Sequence, residues 1–387
     1  MRIGFDATVL APGTRYTGTG QYAENLLRVL PILAPDDQFL VYGTPPGADF
    51  PPLPPNVTWQ PLRRLPIGRL SALAGHLLVL PRMVRKDRLD VMHVPGVHTR
   101  ASLPPVPRGL ACPLVVTVHD LIPMNYYGHS DTPLPWRLRT FYRWNLNSAL
   151  KAQRIITVSE ASRTEIIETL GLPPTRVTAI HNGVDAAWGA SENGSAWKPP
   201  HDATPYILFG GSFEPRKNLG RLLQAFQRAV DAGIPHHLLM IVETSSAHAP
   251  PVRDMAESLP CADRLHFLSG LDDASIRTVY QQAEAFVFPT LSEGFGLPPL
   301  QALACGLPVV ASDLPVMREV LGEAAQYVDP CSVDDLARAL VTITSDETLR
   351  MRLRIAGPQQ ASRFTWEAAG EATLGVYRDV VAARSAT

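Results

Sequence analysis

The stretch "AFVFPTLSEGFGLPPLQALACGLPVVASD", from Ala285 to Asp313, predicts a complete strand–loop–helix–strand unit. Its first apolar run and the later "PVVAS" are typical of buried strands, and the segment between them is helix-like. Strands that are apolar on both faces and joined by a helix belong to parallel sheets, which bind ligands at the carboxyl ends of their strands. Glu293 follows the first strand and stands before two glycines, so this loop is a candidate ligand site.

The same alternation extends along the whole chain. The other strand-like runs are "IGFDATVL", "FLVYG", "LVVTVHD", "RIITVSE", "YILFGG", "HLLMIV", "LHFLSG" and "AQYVDP". Amphipathic segments such as 22–33 and 218–232 lie between them. A chain of 387 residues can bury two separate cores. We therefore expect an α/β protein with two Rossmann-like, doubly wound domains that face a central cleft, covering residues 1–190 and 200–364 and joined by the Gly-, Ser- and Pro-rich segment 186–204.

The composition is that of a globular protein, with 18% charged and 45% hydrophobic residues. Its net charge of −1 hides an asymmetry, because residues 1–185 carry 19 basic against 13 acidic side chains and the remainder 16 against 23. This division indicates different partners for the two halves. The four cysteines have neither metal nor disulfide spacing, which favours reduced thiols and a cytoplasmic location.

The first hundred residues bear on whether the protein is secreted, spans a membrane or binds to a membrane surface. Met1–Asp6 leads directly into a predicted strand, so we expect no signal peptide, and no apolar run approaches the roughly 20 residues of a membrane span. The apolar segment Leu70–Leu80 is surrounded by seven cations, namely Arg63, Arg64, Arg69, Arg82, Arg85, Lys86 and Arg88. This pattern is typical of a helix on an anionic membrane surface, and a core helix with solvated ends explains it as well.

A dinucleotide-binding fold is a first interpretation of Gly18-Thr19-Gly20-Gln21-Tyr22-Ala23, which fits G-x-G-x-x-A. That fingerprint requires its first glycine directly after strand one and an acid at the end of strand two. Here about nine residues separate Val9 from the motif, and strand two ends in "VYGTPP" without an acid. The sequence therefore argues against a dehydrogenase. Gly18 and Gly20 can still let backbone amides approach a ligand, or they form a plain turn before a helix.

Two cationic residues, Arg216 and Lys217, follow the strand "YILFGG" and precede a predicted helix. A guanidinium and an ammonium in this position can hold a diphosphate, although such a pair is often only a solvated surface feature. The loop after the strand "AFVFPT" offers the backbone amides of residues 294–297 for phosphate or sugar oxygens, and Glu293 can accept hydrogen bonds from sugar hydroxyls. A simple helix cap is the alternative for this loop.

These motifs together resemble one family. "EGFGLPPLQALACGLPVVASD" is similar to the donor-site signature of the retaining GT-B glycosyltransferases of family 4, which is typically E-G-F-G-L-P-x-x-E-A-x-A-x-G-x-P-V-V. "GGSFEPRKN", "HNGVD", "FLSGLDD", "YTGTGQYAENLL" and "VTVHDLIP" resemble other motifs of the family, in the same order. "FTWEAAGEATLGVYRDV" (364–380) is similar to the last helix of the family, and this likeness implies that residues 365–387 pack back on the N-terminal domain.

The resemblance implies roles for the C-terminal residues. Glu293 would bind hydroxyls of the donor sugar, and Arg216 and Lys217 would neutralise the leaving diphosphate. The residues whose backbone would hold the sugar and the distal phosphate are Gly294, Phe295, Gly296 and Leu297. Gln301 stands where the family carries a second glutamate that binds the nucleotide ribose. An amide can still accept and donate hydrogen bonds there, but the charge-assisted part, about 1 kcal/mol, is lost.

In the N-terminal half the resemblance places His119 on the reactive face of the sugar, although a histidine after a strand is often only structural. Gly18 and Gly20 would approach the diphosphate. The sequence has no DxD-type metal motif at the required position, so we expect neither a metal ion nor a cofactor. The resemblance implies transfer of a sugar with retention, by front-side attack that the leaving phosphate assists.

For substrates, the resemblance implies a nucleoside diphosphate sugar as donor, with mannose or a related deoxyhexose linked to GDP. The acceptor would be a saccharide or a lipid-linked saccharide in bacterial polysaccharide biosynthesis, bound by the N-terminal domain. An anionic membrane surface would be a further partner. The residues themselves do not distinguish guanine from uracil. A non-catalytic sugar-nucleotide-binding protein, a UDP-sugar-dependent enzyme and a phosphorylase are the alternatives. A phosphorylase needs a pyridoxal-binding lysine in the second half, where the sequence has only Lys198 and Lys217.

Overall fold

The computed structural model describes residues 1–11, 17–44, 50, 52–62, 74–97, 105–129, 135–189, 197–243 and 248–385. The chain divides into two compact units. Unit 1 comprises Met1–Gly183 together with Thr365–Thr387, and unit 2 comprises Val184–Phe364. The division therefore falls just before the segment 186–204 that the sequence suggested as a linker, of which residues 190–196 lie outside the described ranges.

Unit 1 contains a sheet of seven parallel strands in the order β3-β2-β1-β4-β5-β6-β7. The strands are β1 (Arg2–Asp6), β2 (Gln38–Tyr42), β3 (Val57–Gln60), β4 (Val91–Val94), β5 (Leu114–Thr117), β6 (Arg154–Thr157) and β7 (Val177–Ala179). The central strands β4 and β5 are buried along their whole length, as expected for a parallel sheet covered on both faces.

The described residues of unit 1 form five helices before β7. They are α1 (Gly18–Leu33), α2 (Leu80–Asp87), α3 (Ile122–His129), α4 (Trp136–Ala149) and α5 (Glu160–Leu170). A π-helical turn, Gly75–Val79, leads into α2. The N-terminus of α5 is capped by Ser159, whose side chain accepts a hydrogen bond from the Ser162 amide at 3.0 Å. These helices supply apolar side chains to the core, for example Leu26 and Leu146.

Unit 2 contains six parallel strands in the order β10-β9-β8-β11-β12-β13. They are β8 (Tyr206–Gly210), β9 (His237–Ile241), β10 (Leu265–Leu268), β11 (Ala285–Phe288), β12 (Val309–Ser312) and β13 (Ala325–Val328). The helices are α6 (Leu219–Asp231), α7 (Ala249–Ser258), α8 (Asp273–Gln282), α9 (Leu297–Ala304), α10 (Pro315–Leu321), α11 (Val333–Ser345) and α12 (Glu347–Ala361). In α6 the buried residues Leu219, Leu222 and Phe226 recur at helical spacing.

Both sheets use the doubly wound strand order in which the chain moves outward from a central strand and then returns to its other side. The reversal lies between β1 and β4 in unit 1 and between β8 and β11 in unit 2. Ligands of such sheets bind outside the carboxyl ends of the strands at this reversal. The loops after β8 and β11 are the ones that carry Arg216, Lys217 and Glu293.

The last helix, α13 (Trp366–Ser385), belongs to unit 1, where it packs on α1 and β4. Two glycines permit this packing. A Cβ on Gly370 would lie 2.5 Å from Val29 Cγ1, and a Cβ on Gly183 would lie 2.2 Å from the backbone nitrogen of Trp366. The predicted fold class and the return of the C-terminal helix to the N-terminal part are confirmed.

The basic segment near residue 75 is only partly described, because residues 63–73, with Arg63, Arg64 and Arg69, lie outside the described ranges. In the described part Leu80 and Val84 face the core, and Leu78 is exposed. Arg82, Arg85, Lys86 and Arg88 are exposed as well. Within the described ranges, no helix combines the length and the hydropathy that a membrane crossing requires.

Candidate active site

The loop after β8 is fixed to two other strand ends by Asn218. This residue adopts a left-handed conformation (φ 63°) between the turn Pro215–Lys217 and α6. Its buried side chain donates from Nδ2 to the carbonyl of Pro289 at 2.9 Å and to that of Pro330 at 2.7 Å. One amide therefore joins the loops that follow β8, β11 and β13, and it holds the turn next to the β11 loop.

Glu293 receives both cations of this turn. Its Oε1 accepts a hydrogen bond from Arg216 Nη1 at 2.7 Å and a short one from Lys217 Nζ. The Lys217 ammonium also lies 4.6 Å from the centre of the Phe288 ring, so its other neighbour is an aromatic face. We call Arg216, Lys217 and Glu293 the charged cluster. In the described part of the chain, no group of three or more His, Cys, Asp or Glu side chains is arranged to hold a metal ion.

The charged cluster is largely removed from water, since the side chains of Arg216, Lys217 and Glu293 are 17%, 8% and 11% exposed. Burial alone would raise the pKa of Glu293, but the charges of Arg216 and Lys217 outweigh it and hold this pKa below its ordinary value. Burial lowers the pKa of Lys217, and the attraction of Glu293 opposes that shift. The Glu293 carboxylate is therefore stabilised by its two cationic partners, and it counteracts the effect of burial on Lys217.

A second carboxylate, Glu214, contacts the outer side of Arg216. Its Oε2 accepts from Arg216 Nε at 2.9 Å and lies 2.8 Å from Nη2. Glu214 is 41% exposed, whereas Arg216 is mostly buried. With both carboxylates counted, the two cations are formally neutralised. Because Glu214 is partly solvated, it is the partner that an incoming anion would displace most easily.

The glycine loop after Glu293 is shaped by contacts that only glycine tolerates. Gly296 has φ 98° and precedes α9, and a Cβ there would lie 2.6 Å from Met317 Cε. The helix continues with Pro298 and Pro299, which have no N–H. The N–H groups at this helix start therefore belong to residues that precede Pro298, and the binding of a ligand by the amides of residues 294–297 stays a prediction. The Phe295 side chain is buried against Phe364, so only its backbone can contact a ligand.

Gln301 lies in the second turn of α9 and is half-buried. Its backbone carbonyl accepts from the Cys305 amide at 3.1 Å as part of the helix end. Its side-chain amide makes no hydrogen bond with the described residues. The expectation that this side chain binds the nucleotide ribose stays a prediction.

In unit 1, Gly18 and Gly20 lie within the first turn of α1 rather than in a loop before it. The N-terminus is capped by Thr17, whose Oγ1 accepts from the Gly20 amide at 3.3 Å. This bond occupies the N–H of Gly20. Gly20 therefore offers a ligand the space left by a missing side chain, and its amide does not serve as a donor. Gly18 is exposed, and a Cβ on it would meet open space.

His119 follows β5 and is held by two neighbours. Its Nε2 lies 2.9 Å from the carbonyl of Pro95, so this nitrogen carries the proton and donates. The ring stands edge-on to Tyr22, with centroids 4.8 Å apart. Burial lowers the pKa of His119 to about 4, which the bond to Pro95 only partly opposes. His119 is therefore neutral near pH 7, and its Nδ1 is an acceptor.

Behind His119 lies a chain of buried polar groups that the sequence did not suggest. Tyr22 Oη is 2.9 Å from Thr117 Oγ1, which is 2.9 Å from His93 Nε2. His93 Nδ1 is 2.6 Å from Tyr377 Oη on α13. We call Tyr22, Thr117, His93 and Tyr377 the neutral network. Burial lowers the pKa of His93 to about 3 and so keeps it uncharged. No local pattern could reveal it, because His93 and Tyr377 are 284 positions apart.

Each half of the chain matches a model of a known protein family. The model "Glycosyltransferase Family 4" matches residues 16–188, and the model "Glycosyl transferases group 1" matches residues 195–360. Together they cover most of the chain. The protein belongs to the GT-B glycosyltransferases of family 4. His119 and the Gly18–Gly20 turn lie in the part matched by the family 4 model, and the charged cluster lies in the part matched by the group 1 model.

Individual relatives agree with this membership. The chain is 29% identical over 238 residues to the O-antigen chain mannosyltransferase B of Escherichia coli, a match that covers 59% of this chain and 61% of that protein. It is 33% identical to the phosphatidyl-myo-inositol mannosyltransferase of Mycolicibacterium smegmatis over 58% of this chain and 57% of that protein. The matches thus span little more than half of these relatives.

Solved structures support the fold. The sucrose-phosphate synthase of Thermosynechococcus elongatus superposes on this chain with a TM-score of 0.76 at 19% identity. This superposition covers 99% of the present chain and all of the other. At this level of identity the likeness concerns the fold and not the substrates.

Proposed function

We propose that the protein is a retaining, metal-independent hexosyltransferase that takes mannose, or a related deoxyhexose, from a GDP-linked donor. The observation that carries the proposal is the charged cluster at the strand reversal of unit 2, beside the amides of residues 294–297. The two mannosyltransferase relatives support mannose as the sugar. The acceptor is a saccharide or a lipid-linked saccharide.

The donor half of the reaction needs cations and a carboxylate close together. Arg216 and Lys217 bind the diphosphate, and the amides of residues 294–297 add neutral donors for its distal phosphate and the sugar. Glu293 accepts hydrogen bonds from the sugar hydroxyls while it keeps both cations oriented. Gln301 binds the ribose. Residues 200–364 would accordingly form the donor-binding domain.

Departure of the diphosphate puts negative charge on its oxygens. Fixed cations that are already desolvated stabilise this charge more than they stabilise the ground state. Arg216 and Lys217 can thus take the place of a divalent ion. The acceptor hydroxyl attacks from the side on which the diphosphate leaves, and a phosphate oxygen takes its proton, so the anomeric configuration is retained.

His119 contributes as a neutral group. Because its Nε2–H is bound to Pro95, its Nδ1 can accept a hydrogen bond from a sugar hydroxyl without carrying a charge. The Gly18–Gly20 turn leaves room for the diphosphate. Residues 1–190, with 365–387, would form the acceptor-binding domain. We place the enzyme in the cytoplasm and on the inner face of the cytoplasmic membrane, where lipid-linked acceptors are available.

One observation favours a second function. Gln301 lacks the charge that the family uses at this position, which is compatible with a protein that binds sugar nucleotides without turnover, or that prefers UDP-sugars. This candidate and the first make different demands on the cluster. A binding protein needs Arg216 and Lys217 for affinity alone, whereas an enzyme needs them most during departure of the diphosphate.

A panel of GDP- and UDP-linked sugars tests the proposal. Thermal shift reports binding, release of the nucleoside diphosphate with an acceptor mixture reports turnover, and the proton NMR signal of the product anomer reports retention. We expect binding and turnover to be strongest with GDP-mannose, also in the presence of EDTA. A thermal shift without turnover would favour the binding protein. Stronger turnover with a UDP-sugar would replace the donor that we propose.

A further inference from the structure

The outer face of α4 carries an unusual combination of side chains. Helical spacing puts the residues that point away from the core on one continuous face, and these are Trp136, Arg137, Arg139, Thr140, Arg143, Trp144 and Asn147. We call them the outer face of α4. The opposite side of the helix contributes Tyr142, Leu146 and Ala149 to the core. The helix Trp136–Ala149 contains no Asp or Glu.

Trp136 is the most exposed large hydrophobic side chain among the described residues, at 68%. The Arg137 guanidinium lies 5.4 Å from the centre of its ring, and the exposed Arg108 lies 5.5 Å from that of the half-buried Trp144. Within the described ranges no carboxylate forms an ion pair with Arg137, Arg139 or Arg143. The face therefore presents several cations without a carboxylate partner, together with one exposed and one half-buried indole.

We propose that the outer face of α4 docks on an anionic lipid surface. Arginine heads match the charge of acidic headgroups, and an exposed indole is the side chain that partitions best into the boundary between headgroups and acyl chains. A purely electrostatic partner, such as a nucleic acid, would explain the arginines but would gain little from Trp136. The docking surface rests on the proposed function, since a lipid-linked acceptor brings the enzyme to such a surface.

The helix α2 is the natural point of comparison because it also carries exposed cations, Arg82, Arg85 and Lys86. Its acidic residue, Asp87, accepts a hydrogen bond from Tyr42 Oη at 2.7 Å, and its apolar residues Leu80 and Val84 face the core. No exposed aromatic side chain accompanies these cations in α2. The combination of charge and indole thus distinguishes α4 from the basic helix α2.

Sedimentation of the full chain with vesicles tests the proposal. We expect binding to phosphatidylglycerol–phosphatidylcholine vesicles at low salt and little binding to pure phosphatidylcholine. The triple variant R137E/R139E/R143E should lower the partition coefficient at least tenfold, and W136A should lower it severalfold even at moderate salt. The matched variant R82E/R85E/K86E should stay within about twofold of the wild type. All substituted side chains are exposed or partly exposed, so circular dichroism should show unchanged folding.

Several outcomes would overturn the docking surface. Absence of vesicle binding by the wild type would do so, as would equal binding to neutral vesicles or a larger loss from the α2 variant than from the α4 variant. Loss of heparin or single-stranded DNA binding in R137E/R139E/R143E with intact vesicle binding would assign the face to a polyanion instead.

A separate assay keeps this inference apart from the proposed function. Release of nucleotide with a soluble acceptor should be the same in the α4 variant and in the wild type. Vesicle binding through α4 by a protein that turns over no sugar nucleotide would support the docking surface and contradict the transferase. Turnover without vesicle binding would do the reverse.

Discussion

The charged cluster of unit 2 and the neutral network of unit 1 satisfy buried polar groups in opposite ways. In the cluster, Arg216 and Lys217 hold the Glu293 carboxylate ionised, and Glu293 in turn pairs with both cations. In the network, His93 is kept neutral by burial, and hydroxyl groups complete its hydrogen bonds. A cluster of charges can exchange a partner for a bound anion, whereas a neutral network mainly fixes geometry. The two regions should therefore respond differently to substitution, pH and salt.

The largest effect is expected for Lys217→Ala in the cluster. Loss of one fixed, desolvated donor from a site where charge develops typically costs about 100-fold to 1,000-fold in rate, or about 3–4 kcal/mol. We expect a loss of this size in kcat/KM for the donor. Lys198→Ala is the matched control, because this exposed lysine is the other one in unit 2. If Lys217→Ala kept the wild-type kcat/KM, the cluster would have no part in the reaction. A melting curve shows whether the variant is folded.

In the neutral network, Tyr377→Phe should affect stability more than donor binding. The substitution leaves His93 Nδ1 buried without its partner at 2.6 Å, which costs about 1–3 kcal/mol in the free energy of unfolding. Urea unfolding measures this loss. The donor Kd should change less than twofold, because no group of the cluster is touched. A change in donor Kd as large as that in stability would show that the two regions are not independent.

The pH dependence of the free energy of unfolding provides a second test of the neutral network. His93 has a folded-state pKa of about 3, below its unfolded value near 6.5. Below pH 6.5 the unfolded chain therefore binds more protons, and stability falls by about 1.4 kcal/mol for each pH unit until the folded pKa is approached. The carboxylate of Glu293 behaves differently, because its lowered pKa makes its contribution constant above about pH 4.5 and lost below it.

Urea unfolding at pH 7.0, 6.0 and 5.0 isolates His93 when the wild type is compared with His93→Phe. We expect the stability of the variant to fall less steeply with decreasing pH, whatever its stability at pH 7. The difference in slope is needed because burial also lowers the pKa values of His236, His237 and His266 in unit 2. Parallel curves for the two proteins would mean that His93 takes up a proton in the folded state.

The two regions also differ in how far the sequence could predict them. Continuous apolar runs identified the strands that flank the cluster, and the chemistry of Arg216, Lys217 and Glu293 could be inferred from their places at strand ends. The direct hydrogen bonds from the two cations to Glu293 could not be predicted, because they join positions 76 and 77 residues apart. Neither could the role of Asn218, since an asparagine before a helix usually suggests only a cap.

In unit 1, three strands were missed for physical reasons. The strand β4, "VMHV", has a histidine in its middle, which interrupts the apolar pattern although Thr117 and Tyr377 satisfy that histidine in the core. The edge strands β3 and β7 are short and partly exposed, so they lack a strong apolar signal. Burial of polar groups is decided by partners from distant parts of the chain, and local periodicity does not contain this information.

A smaller effect, of about 1 kcal/mol, is expected for Gln301→Glu. A carboxylate at this half-buried position would restore the charge-assisted hydrogen bond to a ribose hydroxyl and lower the donor KM about fivefold. Gln359→Glu adds the same charge to an exposed position of α12 and should leave KM unchanged. Gln301→Ala should raise KM. If all three variants match the wild type, Gln301 does not contact the nucleotide.

The smallest effect is expected for Glu214, the carboxylate that pairs with Arg216 of the charged cluster. Glu214 is bound to Arg216 but is 41% exposed, so a diphosphate has to compete with a weak, solvated ion pair of about 0.5 kcal/mol. Glu214→Gln should therefore lower the donor KM about twofold at low salt, with less effect at high salt, while Glu257→Gln on α7 should change neither. A higher KM in Glu214→Gln would have the opposite meaning. It would show that Glu214 orients the Arg216 guanidinium rather than competing with the donor for it. The geometry of the charged cluster would then be as firmly fixed as that of the neutral network.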